Sequence, residues 1–298
     1  MNWNKYRIMF KIDCGLLLRP QPNGLALIED SEWHYPFFNC DMLRTVLSQA
    51  LQVLYQGYTP YIVLNNRQKG ETNWDTFFRQ PFDCKINNEW GGVTKIYKYS
   101  NMKLDYGYYI GTPYSFHHYR RWCRIFHSLV KLNLPTQNYV DDEYQRLFNP
   151  QERVLGVLCR GTDYIGYKGL PVQPKVDTVI NDVKDWMQKY GYHKIYLATE
   201  CQSIFDQFYD AFPNLVITNQ CTYYDAIMKD KQLPLIGDVS FDRANDNYLK
   251  GLQYLSSLVL LSRCKALLAG NCGGSLFALF YNNMKYEHVK IYRLGNYK

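Results

Sequence analysis

The sequence predicts an α/β protein built on parallel sheets, and two observations carry that prediction. Short runs that are apolar throughout, such as "RVLGVLC" (153–159) and "KIYLAT" (194–199), alternate with longer segments whose apolar residues recur at helical spacing. Such alternation is typical of βαβ units. Strands that lack polar positions are typical of parallel sheets, because helices cover both of their faces.

The second half of the chain shows this alternation most clearly. Strands are predicted, in chain order, at residues 153–159, 194–199, 215–218, 265–270 and 289–293. Helices are predicted between them, from Pro174 to 190, through Ile204 and Phe208, over 246–262, and from Gly273 past Phe280. In sheets of this kind ligands bind beyond the carboxyl ends of the strands, so polar residues at those ends form the candidate site.

The first half of the chain is less regular but belongs to the same class. Residues 41–56 are predicted to form a helix, and "TPYIVLNN" (59–66) follows it as a strand. The 298 residues suffice for two domains of ordinary size. We therefore expect two Rossmann-like α/β lobes facing a cleft, residues 1–150 and 151–298, divided near Asn149–Pro150.

Composition narrows the classes of function. The chain carries 34 Lys and Arg against 27 Asp and Glu, a net charge of +7 that favours anionic partners. No nucleic-acid-binding module is found, so nucleic acid is not expected as a partner. None of the nine cysteines forms a C-x-x-C pair, which favours reduced, buried thiols. With no signal-peptide core and no apolar run of about 18 residues, we expect a cytoplasmic protein, with peripheral contact to the inner membrane face left open.

The first candidate cluster, "CRGTDY" (159–164), directly follows a predicted strand. The planar guanidinium of Arg160 matches the oxygens of a phosphate and stays charged at physiological pH. It suits a diphosphate leaving group, on which negative charge grows as the bond to a sugar breaks. Gly161 allows close approach to the backbone, and Asp163 is placed to orient Arg160, contact a sugar hydroxyl or act as a base. The alternatives are a surface ion pair between Arg160 and Asp163 and a simple turn at Asp163.

The second cluster is "LATE" (197–200), at the end of the next strand. Thr199 and Glu200 lie between that strand and a predicted helix. The two oxygens of the Glu200 carboxylate match the exocyclic amine and the ring N–H of guanine. Equally open is a structural role, in which Glu200 interacts with the dipole at the helix start.

The third cluster is a glycine-rich turn between a strand and a helix, in "LLAGNCGGSLFALF" (267–280). Backbone amides at such a helix start form an anion site, and small side chains admit a phosphate. The residues in question are Gly270, Asn271, Gly273, Gly274 and Ser275. The turn matches neither the P-loop nor the dinucleotide-binding fingerprint, so by itself it is weak evidence.

Together, "CRGTDY", "IYLATE" and "ALLAGNCGGSLFALFY" resemble, in order and approximate spacing, the three C-terminal motifs of the fucosyltransferase superfamily, which includes α1,2-, α1,6- and protein O-fucosyltransferases. The resemblance covers about residues 150–285. The first motif, approximately H-x-R-R-x-D, is kept at Arg160 and Asp163. Leu158 and Gly161 stand where the family has His and a second Arg, and the family's N-terminal G-x-G-N-R-L loop is missing.

The resemblance implies a GT-B fold and an inverting, metal-independent glycosyltransferase without a cofactor. It assigns the β-phosphate of the donor to Arg160 and the guanine to Glu200. The other expected substrate-binding residues are Gly161, Thr162, Thr199, Gly270, Asn271, Gly273, Gly274 and Ser275. The implied partners are a nucleoside diphosphate sugar, with GDP and fucose as first expectations, and a glycan hydroxyl in cell-surface polysaccharide synthesis, on the side of the N-terminal lobe. A lipid-linked acceptor is left open.

Three other segments have competing interpretations. For residues 116–132, a helix that packs its apolar stripe on the core is favoured over a basic helix resting on anionic lipid. "VDDE" (140–143) resembles a metal site, but Asp141 and Asp142 are interpreted as a helix start. Trp74 is interpreted as core packing rather than as a ring that stacks on sugar.

Two further classes of function remain open from the sequence. The missing His and second Arg are compatible with a non-catalytic protein that binds a sugar nucleotide or a glycan. A membrane-surface scaffold would instead rely on the helix at 116–132.

Overall fold

The computed structural model has the α/β architecture that the sequence predicts. It describes residues 3–29, 36–64, 72–86, 93–98 and 116–298. These residues fall into two compact units. The first unit ends at Gln137, and the described residues of the second unit are Asn138–Lys298. The sequence-based division near Asn149–Pro150 stays a prediction.

The first unit contains a parallel sheet in which, among the described residues, β1 (Leu25–Glu29) lies between β2 (Thr59–Val63) and β3 (Val93–Lys98). Its helices are α1 (Trp3–Asp13), α2 (Cys40–Tyr55), α3 (Trp74–Phe77) and α4 (Phe116–Leu129). Helix α2 and strand β2 confirm the predicted helix and strand of this half. Asn39 begins α2, because its Oδ1 accepts hydrogen bonds from the amides of Asp41 and Met42, both at 3.0 Å.

The second unit contains a sheet in the order β6-β5-β4-β7-β8, with every neighbouring pair parallel. The strands are β4 (Val154–Leu158), β5 (Lys194–Ala198), β6 (Val216–Ile217), β7 (Ala266–Gly270) and β8 (His288–Tyr292). All five confirm predicted strands. The helices after α4 are α5 (Leu134–Leu147), α6 (Val176–Tyr190), α7 (Gln202–Ala211), α8 (Asp225–Asp230), α9 (Asp246–Ser262) and α10 (Gly273–Tyr281).

Strand β4 shows why its sequence is apolar throughout. Leu155 and Val157 are completely buried in a cluster that includes side chains of α6 and α7. Leu158 points to the other face, where its Cδ2 and that of Leu258 in α9 both lie close to Gly274. Helices therefore cover both faces of the strand, and polar groups are left only at its ends.

The predicted helix start at Asp141 and Asp142 is wrong. Helix α5 begins at Leu134, seven residues earlier along the printed sequence. Asn133 caps it, since its Oδ1 accepts a hydrogen bond from the amide of Thr136 at 3.0 Å. Asp141 lies within the helix and pairs with Arg263 at 2.6 Å. The capping asparagine is a stronger start signal than the acidic pair.

Helix α4 packs on the core, as the sequence favours. Its apolar stripe is buried, with Trp122, Cys123, Ile125, Phe126 and Leu129 all at most 1% exposed. Trp74 is also completely buried, and its Nε1 donates to the carbonyl of Arg79 at 3.0 Å, which confirms it as core packing. Within the described residues, none of the helices combines the length and the apolar character that crossing a bilayer requires.

Candidate functional site

Arg160 lies at the carboxyl end of β4 between two carboxylates. Its Nε donates to Oε1 of Glu200 at 2.8 Å, and its Nη2 donates to Oδ1 of Asp163 at 2.8 Å. The three side chains are only 11%, 13% and 16% exposed, respectively. The sequence places Arg160 and Glu200 forty residues apart, and the pairing of Leu158 with Ala198 in β4 and β5 brings them together. The predicted gathering of polar groups at one sheet edge is thus observed for these three residues.

The Glu200 carboxylate fixes the loop that follows β4. Besides Arg160, its Oε1 accepts hydrogen bonds from the amide of Gly161 at 3.0 Å, from the amide of Thr162 at 3.3 Å and from Thr162 Oγ1 at 2.9 Å. One oxygen therefore satisfies four donors from three consecutive residues. This oxygen is committed to the protein, and a contact with guanine would fall to Oε2.

The charges of this cluster determine what it can bind. One guanidinium and two carboxylates give a net charge of −1 when all three are ionised. Burial alone would lower the pKa of Arg160, but Glu200 and Asp163 together raise it well above its ordinary value, so the guanidinium stays charged. Within the described residues, no hydrogen bond involves Nη1 of Arg160. That nitrogen is the edge of the guanidinium available to a ligand.

Asp163 is held from two sides. Its Oδ1 accepts from Arg160, and the amide of Ile236 approaches its Oδ2 at 3.4 Å. The Thr162 hydroxyl, whose single proton is directed to Glu200, lies 3.3 Å from Oδ1. Ile236 belongs to the segment between α8 and α9, which therefore passes close to the end of β4. No motif in this segment indicates that it reaches the site.

Gly161 is required by packing. A Cβ atom at this position would lie 2.5 Å from Cδ1 of Ile204 and 2.6 Å from Sγ of Cys201. Both atoms belong to the start of α7. The absent side chain lets the loop after β4 approach that helix closely, in addition to any approach of a ligand.

The start of α10 lies beyond the end of β7, next to β4 in the sheet. Ser275 is completely buried, and its Oγ donates to the carbonyl of Cys272 at 2.8 Å while accepting from the amide of Cys272 at 3.1 Å. Its hydroxyl thus closes the first turn of the helix. Gly274 packs against Leu158, Leu258 and the Tyr254 hydroxyl, where a Cβ atom would meet them at 2.9–3.3 Å.

Asn271 differs from Ser275 in that its side chain has no hydrogen-bond partner within the part of the chain that the structure describes. The residue is 7% exposed, and no hydrogen bond of its side-chain amide to another described residue is found. It lies two residues before Gly273, where α10 begins. Among the predicted residues of this turn, Asn271 is the one whose polar side chain is available to a ligand.

Sequence reasoning missed Gln173, which covers the same turn. Its Nε2 donates to the carbonyls of Pro171 and Asn271 at 3.0 and 3.2 Å, and its Oε1 is buried without a partner among the described residues. A Cβ atom on Gly270 would collide with this oxygen. No local pattern marks Gln173, because its contacts join residues 98 positions apart.

The start of α7 is already occupied by an acid. Oδ1 and Oδ2 of Asp225 accept from the amides of Gln202 and Ser203 at 3.0 and 3.1 Å. Burial alone would raise the pKa of Asp225, but these amide hydrogen bonds lower it. Thr199 serves the same turn, since its Oγ1 accepts from the amide of Cys201 at 3.2 Å. The start of α10 is capped from within as well, because Sγ of Cys272 accepts a hydrogen bond from the amide of Ser275 and the amide of Cys272 donates to Ser275 Oγ at 3.1 Å.

The described residues bring no three His, Cys, Asp or Glu side chains together in an arrangement that would hold a metal ion. Independence from metal stays a prediction of the family resemblance.

No protein-family model and no curated protein matches this chain. Solved structures do match. POFUT1 in complex with GDP-fucose aligns with a TM-score of 0.51 over 92% of this chain and 99% of its own, at 9% sequence identity. The chain shares the fold of POFUT1. NodZ α-1,6-fucosyltransferase soaked with GDP-fucose aligns at 0.48 over 89% of this chain and 93% of its own, with 14% identity. The likeness to POFUT1 confirms the predicted GT-B-like α/β fold class.

Proposed function

We propose that this chain is a glycosyltransferase that transfers a sugar from a nucleoside diphosphate donor to a hydroxyl of a glycan. GDP and fucose are the first candidates for the base and the sugar. The proposal is supported by the fold shared with POFUT1, a protein whose structure contains GDP-fucose. It is carried by Arg160, a guanidinium held at the carboxyl edge of a parallel sheet, where ligands of such sheets bind.

In the proposed reaction, the acceptor oxygen attacks the anomeric carbon with inversion. The bond between that carbon and the phosphate oxygen breaks, and its electron pair leaves with the nucleoside diphosphate. Arg160 donates from Nη1 to the diphosphate, with the backbone amides after Gly270 assisting. Asp163 is the proposed acceptor of the hydroxyl proton. Glu200 and Asp163 hold the guanidinium in one orientation before the donor binds.

The nucleobase is assigned to Glu200 and Thr199. Because four donors occupy Oε1 of Glu200, the second oxygen would accept from guanine. If Oε2 accepts from both the ring N–H and the exocyclic amine of guanine, binding is selective for guanine, since neither uracil nor cytosine presents that adjacent pair of donors. The other proposed contacts with the donor are the side chain of Asn271 and the backbone of Gly273, because the amides of Gly161 and Thr162 and the hydroxyl of Ser275 are committed within the protein.

A thermal-shift series tests the donor assignment. We expect GDP and GDP-fucose to raise the melting temperature of the protein more than UDP and UDP-glucose, which share the diphosphate but lack guanine, and we expect CMP, which lacks both, to leave it unchanged. Stabilisation by UDP but not by GDP would contradict the assignment to Glu200. Stabilisation by none of these nucleotides would contradict the proposed function.

A sugar-nucleotide-binding protein without catalysis is the second candidate. The observation that favours it is the net charge of −1 around Arg160, together with the absence of the family's His and second Arg. Release of GDP from GDP-fucose by the purified protein, followed by chromatography, separates the two candidates. Turnover above that of the Arg160→Lys variant supports the transferase, whereas binding without any release supports the binder.

The proposed acceptor is a growing cell-surface glycan that is lipid-linked at the cytoplasmic face of the inner membrane. Support for membrane contact comes from α1 rather than from the buried stripe of α4. Tyr6 and Phe10, one helical turn apart, are 48% and 65% exposed, and Arg7 between them is exposed as well. An apolar side chain beside a cation suits an anionic lipid surface.

Co-sedimentation with vesicles tests this contact. The protein is expected to bind vesicles that contain anionic phosphatidylglycerol more tightly than vesicles of phosphatidylcholine alone, and Phe10→Ser is expected to weaken that binding. Equal binding by the wild type and Phe10→Ser would contradict the assignment to α1. Arg160→Lys is the matched control and is expected to bind vesicles like the wild type.

A further inference from the structure

A second group of charges, of which only Lys250 is fully buried, lies at the start of α9 and in the segment before it. Arg243 Nε donates to Oδ1 of Asp246 at 2.7 Å, and Lys250 Nζ lies 2.9 Å from Oδ2 of the same carboxylate. Lys250 is only 3% exposed, and its Nζ also donates to the carbonyl of Val239 at 2.7 Å. Burial alone would raise the pKa of Asp246, but hydrogen bonds from Lys250 and Arg243 lower it, so the carboxylate is ionised.

This cluster carries more positive than negative charge. Two cations share one carboxylate, which gives +1, whereas the cluster around Arg160 carries −1. Arg243 Nη1 donates to Thr222 Oγ1 at 3.0 Å, but its Nη2 is buried and has no acceptor among the described residues. A buried guanidinium nitrogen without an acceptor costs free energy unless a ligand supplies one.

Several contacts place Arg243 near the carboxyl edge of the second sheet. Its guanidinium lies 5.0 Å from the ring centroid of Phe241, and that ring packs edge-on against Tyr224 at 5.6 Å. The amide of Tyr224 donates to the carbonyl of Glu200 at 2.9 Å. Burial raises the pKa of the Tyr224 hydroxyl; Arg243 opposes the increase, and Asp246 and Glu200 add to it. Tyr224 thus lies between Arg243 and the residues around Arg160.

The loop that carries Arg243 also reaches the first cluster directly. Ile236, seven residues before Arg243, directs its amide towards Oδ2 of Asp163 at 3.4 Å. The segment between α8 and α9 therefore has contacts with Asp163 near one end and with Asp246 at the other. One segment of the chain thus contacts a carboxylate of each charge cluster.

We propose that Arg243 is a binding residue for the diphosphate of the nucleoside diphosphate donor and supplies the second positive charge that the motif around Arg160 lacks. This inference rests on the proposed function, which provides the diphosphate. A diphosphate brings at least two negative charges to a group that already carries −1, and one guanidinium shared between two carboxylates does not offset them. Arg243 and Lys250 bring the added positive charge.

The geometry gives each neighbour of Arg243 a role. Asp246 and Thr222 hold two sides of the guanidinium, which leaves Nη2 to donate to a phosphate oxygen. A planar guanidinium fixed in this way loses little side-chain entropy when the ligand binds. Lys250 is a positioning residue, because its Nζ fixes Asp246 and it adds charge without approaching the ligand.

Calorimetric titration of the full chain with GDP, guanosine and inorganic pyrophosphate tests the inference. Arg243→Gln is expected to bind GDP roughly ten- to a hundredfold more weakly than the wild type, the loss typical of a charge-assisted hydrogen bond. Its affinity for guanosine, which has no phosphate, is expected to stay within about twofold. Arg153→Gln is the matched control, because Arg153 precedes β4, at the amino edge of the sheet, where it pairs with Glu287. Its affinity for GDP should equal that of the wild type.

Each outcome decides a separate point. Unchanged GDP affinity of Arg243→Gln overturns the inference, and so does an equal loss for GDP and guanosine, because that result indicates a structural role. If the wild type binds neither GDP nor guanosine, the proposed function fails. In that case, pyrophosphate binding that weakens in Arg243→Gln would still support an anion site at Arg243, whereas no pyrophosphate binding by the wild type would overturn the anion site as well. If Arg243→Gln does not fold, Arg243→Lys replaces it, because lysine keeps the charge without the planar fork. This variant is expected to bind GDP more weakly than the wild type while its affinity for guanosine stays the same, and unchanged GDP affinity overturns the inference.

Discussion

Removal of Arg160 is expected to destabilise the protein, quite apart from its effect on a ligand. In an Arg160→Ala variant, the Glu200 and Asp163 carboxylates lose the cation that both of them contact at 2.8 Å. Two like charges then remain at the end of β4, with side chains only 13% and 16% exposed. Buried charges without a partner are costly because the protein interior solvates them poorly.

The magnitude follows from measurements on comparable ion pairs. Removal of one partner of a buried pair costs about 3–5 kcal/mol, and the partial exposure here favours the lower end. A loss of about 3 kcal/mol corresponds to a decrease in melting temperature of roughly 6 to 12 °C for a unit of this size. The change is large against the overall stability of a typical domain, about 5–15 kcal/mol.

Thermal unfolding followed by circular dichroism measures this effect. Arg153→Ala is the control, because the Arg153–Glu287 pair is 41% and 38% exposed, and such surface pairs contribute at most about 1 kcal/mol. The double variant Arg160→Ala/Glu200→Gln should melt at a higher temperature than Arg160→Ala, since it removes one of the two unpaired charges.

An Arg160→Ala variant that melts at the same temperature as the wild type would show that this ion-pair cluster does not stabilise the fold. A double variant that melts below Arg160→Ala would contradict the expected cost of the unpaired charges, because hydrogen bonding by Glu200, rather than its charge, would then dominate. The expected loss also means that Arg160→Lys, which keeps the charge, is the better variant for activity measurements.

Two further predictions concern the start of α7. Gly161→Ala is expected to destabilise the protein by about 1–3 kcal/mol, because the new methyl group meets Ile204 and Cys201. Adding Ile204→Val removes the methyl group that is 2.5 Å away and should restore part of the lost stability, measured by urea unfolding. A double variant no more stable than Gly161→Ala would contradict the clash. Asp225→Asn is expected to lower the free energy of unfolding by about 1 kcal/mol at pH 7. Because folding lowers the pKa of Asp225, its charged form stabilises the protein above about pH 4, and this contribution disappears as the pH falls further. The urea midpoints of variant and wild type should therefore converge in acid. A difference that widens in acid would be inconsistent with this cap.

The sequence was sufficient to predict the strands of the second unit and the edge at which its polar residues gather. β4, β5 and β7 are apolar runs that end in Arg160, in Glu200 and in the turn after Gly270, so parallel pairing alone brings these ends to one side. The spatial order β6-β5-β4-β7-β8 could not be read from the sequence, because apolar runs carry no information on which strand is the neighbour.

The contacts within the site were less predictable than its place. Ser275 reads from the sequence as a phosphate ligand, but its hydroxyl hydrogen-bonds the N-terminal turn of α10. Glu200 reads as a base-recognition residue, and the structure adds a role in which one of its oxygens holds the loop after β4. These roles depend on side-chain hydrogen bonds across large sequence separations, and no local spacing encodes them. For the same reason, the sequence alone could not predict the contacts of Gln173 and Arg243.

Helix α5 illustrates a different source of error. The acidic pair Asp141 and Asp142 suggested a helix start, yet Asn133 and Pro135 provide better start signals eight and six residues earlier. Asp141 instead forms an ion pair with Arg263 on α9's carboxyl end. A local acidic run can serve either purpose, and only tertiary contacts distinguish them.

A crystal structure of the protein with bound GDP would show whether Arg160 holds the diphosphate. We expect the diphosphate to lie within hydrogen-bonding distance of Arg160 Nη1 and of the backbone amides after Gly270. A diphosphate bound elsewhere, with Arg160 in contact only with Glu200 and Asp163, would contradict this expectation.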